Sequence, residues 1–218
     1  MSWTSIYKMK DLLKGLYLIT DESLIDQSNY FSLIEDLLSN HIDILQLRIK
    51  DASEDEVLYK AKELRKITSK YKTLFIINDN LNVACITGRW FAYGKNDQSF
   101  NECRKALGEE KVIGVSCYGD SSRVKKFKNL GADYVAIGTP YFTKTKPDRE
   151  PTPFSLMQSI INEHPGYPIF AIGGIEISNA REVLSTGVTG IAVINGILSY
   201  QNSSDRVNKF NEILENFS

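Results

Sequence analysis

The 218-residue chain predicts a single-domain α/β fold, a parallel (β/α)8 barrel, and three observations carry that prediction. Eight short apolar runs rich in strand-forming residues recur along the chain, helical spacing fills the gaps between them, and no low-complexity linker interrupts the alternation. Strands that alternate with helices imply a parallel sheet. Eight such units within about 200 residues fit a closed TIM barrel at the small end of its size range. An open, doubly wound sheet is the alternative. It is disfavoured because the turn after the first run, "TDESLID", lacks the glycine fingerprint of a dinucleotide fold.

The runs, in order, are "LYLIT" (16–20), "IDILQLR" (42–48), "TLFIIND" (73–79), "WFAYG" (90–94), "VIGVSC" (112–117), "YVAIG" (134–138), "PIFAIGG" (168–174) and "GIAVIN" (190–195). Tyr30, Leu33, Ile34, Leu37 and Leu38 repeat with helical spacing, as do Val57, Ala61 and Leu64. Helix-start signals agree: Ser53 with Glu56 as a capping box, Asp120 as cap of a helix from Ser121 to Leu130, and Thr152 as cap with Pro153 at the first helical position. The barrel is taken as residues 1–218. Within it, 1–15 form an N-terminal extension, either a helix over the bottom of the barrel or part of a subunit contact in a homo-oligomer.

Composition narrows the function classes. Lys and Arg number 26 against 27 Asp and Glu, so net charge offers no general attraction to nucleic acid or to an anionic membrane. The basic stretch Arg123, Lys125, Lys126 and Lys128 reads as a solvated helix face. Cys85, Cys103 and Cys117 form no CxxC pair and leave an odd count, which argues against a disulfide framework or zinc site and suits a reducing cytoplasm. Cys117 reads as packing. Lys8, Lys10, Asp11 and Lys14 interrupt the N-terminus, leaving no apolar segment for a signal peptide or membrane span.

In a barrel of this kind, reactive groups belong at the carboxyl ends of the strands. The second run ends in "QLRIKD", where alternation puts Gln46, Arg48 and Lys50 on one face and Leu45, Leu47 and Ile49 on the other. The third run ends in Asn78 and Asp79, Asp97 follows the fourth, and Ser116 lies in the fifth. The sixth opens into "GTPYFTKTKPD", with Thr143, Thr145 and Lys146. The seventh ends in Gly173 and Gly174, the eighth in Asn195 and Gly196.

This inventory suggests phosphate chemistry. Arg48, Lys50 and Lys146 can neutralise phosphate oxygens. Asp79 and Asp97 are hard donors suited to Mg²⁺, which commonly takes one or two carboxylates plus substrate phosphates. Their bland reading is helix capping or charge balance. The glycine pair lets backbone N–H groups approach an anion, with the following helix adding its positive end. The two histidines, His41 and His164, fall on the wrong side of the barrel for a general base. Cations, a metal and no strong base suit departure of a diphosphate better than proton abstraction.

These motifs, with "YLITD", "IIND", "IGVSC", "GADYVAIGTPYFTKTKP", "AIGGI" and "GIAVINGI" in order over residues 16–198, resemble the thiamine phosphate synthase family. The resemblance implies a transferase. It would join 4-amino-5-hydroxymethyl-2-methylpyrimidine diphosphate to hydroxyethylthiazole phosphate with Mg²⁺, releasing pyrophosphate. It further implies that Gln46, Arg48, Lys50, Asn78 and Lys146 bind the pyrimidine diphosphate, with Ser116 assisting, and that Asp79 and Asp97 hold the metal. Thr143 and Thr145 would lie beside the thiazole phosphate, gripped by the Gly173–Gly174 turn and the Asn195–Gly196 end of strand eight. Two alternatives share the barrel. A tautomerase of the TenI group carries a histidine and a glutamate where this chain has Tyr118 and Ile49, and a non-catalytic thiazole phosphate binder would have no use for Asp79 and Asp97. The stretch "TGRWFAYGKND" departs most from the family pattern, and Ile49, expected to face the helices, replaces a glutamate.

Overall fold

A computed structural model describes residues 12–88, 90–93, 99–143 and 149–217. Each of the eight apolar runs forms a strand: β1 Gly15–Ile19, β2 Ile44–Leu47, β3 Leu74–Asn78, β4 Trp90–Tyr93, β5 Ile113–Tyr118, β6 Tyr134–Gly138, β7 Ile169–Ile172 and β8 Gly190–Val193. All pairings are parallel, and β1 pairs with both β2 (Tyr17 opposite Ile44) and β8 (Leu16 opposite Ile191), so the sheet closes. Nine helices occur among the described residues: α1 Tyr30–Ser39, α2 Glu54–Thr68, α3 Leu81–Thr87, α4 Phe100–Leu107, α5 Ser121–Asn129, α6 Phe154–Glu163, α7 Ala180–Leu184, α8 Asn195–Leu198 and α9 Ser203–Glu215.

Both faces of a parallel strand are buried in this architecture, so the strands read as continuous apolar runs although their side chains alternate. In β1, Tyr17 and Ile19 point into the barrel while Leu16 and Leu18 pack outward under the helices. In β3, Leu74 and Ile76 point in, Phe75 and Ile77 out. The barrel interior is thus a separate apolar plug, completed by Ile44, Tyr134, Phe170 and Ala192. Phe170 meets the rings of Tyr17 and Tyr134 edge-on, with centroids 5.5 and 5.4 Å away.

The bottom of the barrel is tied by a repeated device. Asp43, Asp133 and Thr189 each precede an even-numbered strand and accept, through a side-chain oxygen, the backbone N–H of Leu16, Ile113 and Ile169 at distances of 2.8, 2.9 and 2.8 Å. Their own backbone N–H groups donate to the carbonyls of the same three residues. Arg104 adds a partly buried ion pair to Asp133 at 2.7 Å and donates to the carbonyls of Lys111 and Gly131.

Three of the local expectations need correction. Thr152 does not cap α6: Pro153 itself is the cap residue, with no side-chain hydrogen bond, and Thr152 is buried. Ser53 caps α2 by accepting from Glu56 N–H, but the reciprocal half of the box is not formed. A complete capping box, overlooked in the sequence, joins Ser99 and Glu102 at the start of α4. Asp120 caps α5 as expected, accepting from Arg123 N–H. The basic face of α5 is solvated at Lys125 and Lys126. Arg123 is not; it stacks on Phe127 and donates to the Ser116 carbonyl.

Gly114 in β5 makes room for the interior plug, since a Cβ there would overlap the Tyr134 phenol ring. Gly114→Ala should therefore destabilise the fold by about 1–3 kcal/mol, the usual cost of overpacking a filled core. A urea titration would show this as a lower midpoint at unchanged slope; an unaltered midpoint would mean that the plug yields.

Candidate active site at the carboxyl rim

A cavity of about 910 Å³ opens above the plug, at the carboxyl ends of the strands. Gln46, the last inward-facing residue of β2, is buried and donates through Nε2 to the Tyr17 hydroxyl at 2.5 Å. That hydroxyl in turn meets the Tyr134 hydroxyl at 2.8 Å. Burial pushes both phenols up, so each stays protonated. Two phenols and an amide therefore form a neutral hydrogen-bonded floor beneath the cavity.

Arg48 and Lys50 line the cavity just beyond the end of β2, which stops at Leu47. Arg48 is held in place: its backbone N–H donates to Thr20 Oγ1 at 3.0 Å and its guanidinium lies 3.6 Å from the Asp21 carboxylate. Ile49 packs toward the helices, as expected, but it also borders the cavity. Asn78 and Asp79 face the cavity at the end of β3. Asp79 has a left-handed backbone (φ 56°), as do Asp51 (57°) and Tyr118 (56°) on the same rim. Such conformations cost energy in a non-glycine residue and cluster at functional sites.

Ser116 lines the cavity from β5, where a bulge between Ser116 and Tyr118 shifts the register against β6. The extra residue is Cys117, fully buried on the helix side of the sheet. Thr143, Gly173, Gly174, Asn195 and Gly196 complete the set of described residues expected here, and all border the same cavity. The glycine turn has φ values of 115° and 60°, and is fixed by Thr139 donating to the Gly173 carbonyl and Asn179 to that of Gly174. The helix that follows, expected to add its positive end, starts only at Ala180, with residues 175–179 between it and the glycines. It is α8 that begins at a strand end, with Asn195 as its first residue. Asp97, Thr145 and Lys146 lie outside the described residues.

Arg149 was not anticipated. Its guanidinium enters the cavity wall between β6 and β7, donating to the carbonyls of Ile172 (3.2 Å), Thr139 (2.8 Å) and Tyr141 (3.1 Å). Only its nearness in sequence to Lys146 could have drawn attention to it.

The site has the means to bind anions and little means to abstract protons. Both histidines lie at the ends of helices below the barrel, His41 beside Asp43 and His164 closing α6. A metal would find Asp79 suitable: its carboxylate shares the cavity with Arg48 and Lys50, and no ion pair among the described residues engages it. Among those residues no group of three or more His, Cys, Asp or Glu comes together as a ready-made metal centre.

A family profile described as thiamine monophosphate synthase matches residues 16–197. The chain is 34% identical over 208 residues to the thiamine-phosphate synthase of Clostridium acetobutylicum, spanning 95% of this chain and 98% of that one. With the thiamine-phosphate synthase of Clostridium botulinum (strain Loch Maree / Type A3), identity is 38% over 185 residues, or 84% and 90% of the two chains. Among solved structures, thiamine phosphate pyrophosphorylase from Pyrococcus furiosus superposes with a TM-score of 0.86 at 29% identity, covering 96% of this chain and 98% of the other.

Burial pushes the Cys117 thiol up from 9.0 to about 12, against a smaller opposing pull from Arg123. At about pH 8.5, the ordinary thiol pKa, a thiol reagent should modify exposed Cys85 in the native protein and reach Cys103 and Cys117 only on unfolding. Because the folded value is the raised one, this thiol's contribution to stability is intact below pH 9.0 and declines as pH rises toward 12. Rapid native labelling of Cys117 would contradict its role as packing.

Proposed function

The chain belongs to the thiamine monophosphate synthase family, and on that premise we propose how the rim residues divide the work. The protein is a thiamine phosphate synthase, a transferase that joins the pyrimidine diphosphate to hydroxyethylthiazole phosphate. In the proposed mechanism the bond between the pyrimidine methylene carbon and the diphosphate oxygen breaks first, and its electron pair leaves with the diphosphate. The ring-stabilised cation is then captured by the lone pair of the thiazole nitrogen. That forms the carbon–nitrogen bond of thiamine phosphate. No proton has to be removed, which agrees with a site whose histidines are at the opposite end of the barrel.

Gln46 and Asn78 suit the polar edge of the pyrimidine. Arg48, Lys50 and Lys146 suit the diphosphate, with Ser116 assisting, because charge that builds on a leaving group is best met by donors already in place. Asp79 and Asp97 would hold a Mg²⁺ ion, which when bound neutralises the departing oxygens. The Gly173–Gly174 turn, the Asn195–Gly196 strand end and the threonines Thr143 and Thr145 suit the thiazole phosphate. The observation that carries this reading is the convergence on one cavity of described residues from β2, β3, β5, β7 and β8. No described helix is long and apolar enough to cross a membrane. We place the reaction in the cytoplasm, where thiols such as those of Cys85 and Cys117 remain reduced.

The decisive assay is pyrophosphate release by the purified protein, with each substrate and Mg²⁺ omitted in turn. Release that requires Mg²⁺ and the pyrimidine diphosphate, with thiamine phosphate formed only when the thiazole phosphate is added, is the expected result. Binding of the thiazole phosphate without any release would favour a tautomerase or a binding protein. Asp97→Ala should abolish Mg²⁺-dependent turnover with the circular dichroism spectrum unchanged; undiminished turnover would remove Asp97 from the metal site. Lys146→Ala should lower turnover by roughly 10²–10³-fold, the usual cost of losing one donor to developing charge.

A further inference from the structure

Arg149 is a half-buried cation whose surroundings do not account for its charge. Its three hydrogen-bond acceptors among the described residues are neutral backbone carbonyls, those of Thr139, Tyr141 and Ile172. No carboxylate pairs with it among the described residues, and its Nε–H is buried without an acceptor. Removal from water makes the charged form less favourable, and its pKa is accordingly lowered by burial. A buried charge is normally retained only where it is paired.

The place is built for this side chain. A Cβ on Gly138, at the end of β6, would overlap Nη1, and one on Gly173, just past β7, would lie 2.9 Å from both Cζ and Nη2. Two glycines at adjacent strand ends therefore leave the space that the guanidinium fills. It lies flat against the turn that carries Gly173 and Gly174, and it lines the cavity. An anion seated at that turn would meet a cation that lacks a counter-charge among the described residues.

We infer that Arg149 is a specificity-determining residue that contacts the phosphate of the thiazole substrate, so that the site selects the phosphorylated thiazole over the free alcohol. The inference rests on the preceding reading of the glycine turn as the thiazole phosphate site. Arg149 thereby does two jobs: its carbonyl contacts fix the start of the β6–α6 loop to β7, and its charge reads the ligand's anionic end.

Three variants of the full chain test this: Arg149→Gln, which keeps hydrogen-bond donors without charge, Arg149→Lys, which keeps charge without the fork, and Arg149→Ala. For each, kcat/KM would be measured with hydroxyethylthiazole phosphate and with unphosphorylated hydroxyethylthiazole. Their ratio is unaffected by any fraction of the sample that fails to fold. In Arg149→Gln, KM for the thiazole phosphate should rise roughly 10- to 100-fold, the worth of a hydrogen bond to a charged group. KM for the pyrimidine diphosphate should not change, and the preference for the phosphorylated thiazole should fall by the same factor. Arg149→Lys should recover part of that preference. An unchanged preference with a lowered melting temperature would overturn the proposal and leave Arg149 as a loop strap; so would an equal rise in both KM values. Titration calorimetry with the thiazole phosphate separates this from the activity itself. If the wild type binds that ligand but makes no thiamine phosphate, the synthase reading fails while loss of binding in Arg149→Gln still supports the contact. Absence of binding by the wild type overturns it.

Discussion

Closure of the parallel sheet, β8 pairing onto β1, is the constraint on which the rest of the molecule depends. A closed sheet has no edge to protect. Its parallel strands also place every carboxyl end on one rim. That is why residues far apart in the chain, Gln46, Asn78, Ser116 and Gly173 among them, come to border a single cavity. The same geometry sends both histidines to the other side. What chemistry the site can perform is thus decided in part by topology, before any side chain is considered.

Closure also creates an interior that must be filled. Leucine, isoleucine and Phe170 fill it, and Tyr17 and Tyr134 reach the level that borders the cavity. Phenols suit that level because one end of each ring is apolar and the other can satisfy a polar neighbour. Their joined hydroxyls give Gln46 a partner at the boundary between dry core and open site. A phenylalanine at either position would fill the volume but would leave that polar boundary incompletely satisfied.

Much of this was legible in the sequence. All eight strands announced themselves as apolar runs, because burial on both faces removes polar residues from either side. The rim residues could be sorted by their place after each run. Less was legible where the signal depends on detail. The cap of α6 was misassigned because Thr–Pro fits a common pattern, whereas the buried Thr152 is used for packing. The Ser99–Glu102 box had the right spacing but sat beside a stretch that departs from the family pattern. The bulge at Cys117 leaves no mark in composition, since a buried cysteine looks like any other small apolar residue. Arg149 was signalled only by its nearness to Lys146, because its meaning comes from two glycines on other elements. Residue spacing reports periodic structure well, and it reports long-range encounters poorly.

The paired contacts of Asp43, Asp133 and Thr189 at the bottom of the barrel bear on how the chain can assemble. Each joins an odd strand to the even strand that follows it, across sequence separations of only 27, 20 and 20 residues. Loops of that size are inexpensive to close, and contacts near in sequence favour rapid formation. The barrel can therefore grow as a series of latched β-α-β modules, each satisfying its own lower ends as it forms. Only the last seam, β8 onto β1, must wait for the whole chain. On this view the bottom rim records the order of construction, while the upper rim is left free for chemistry.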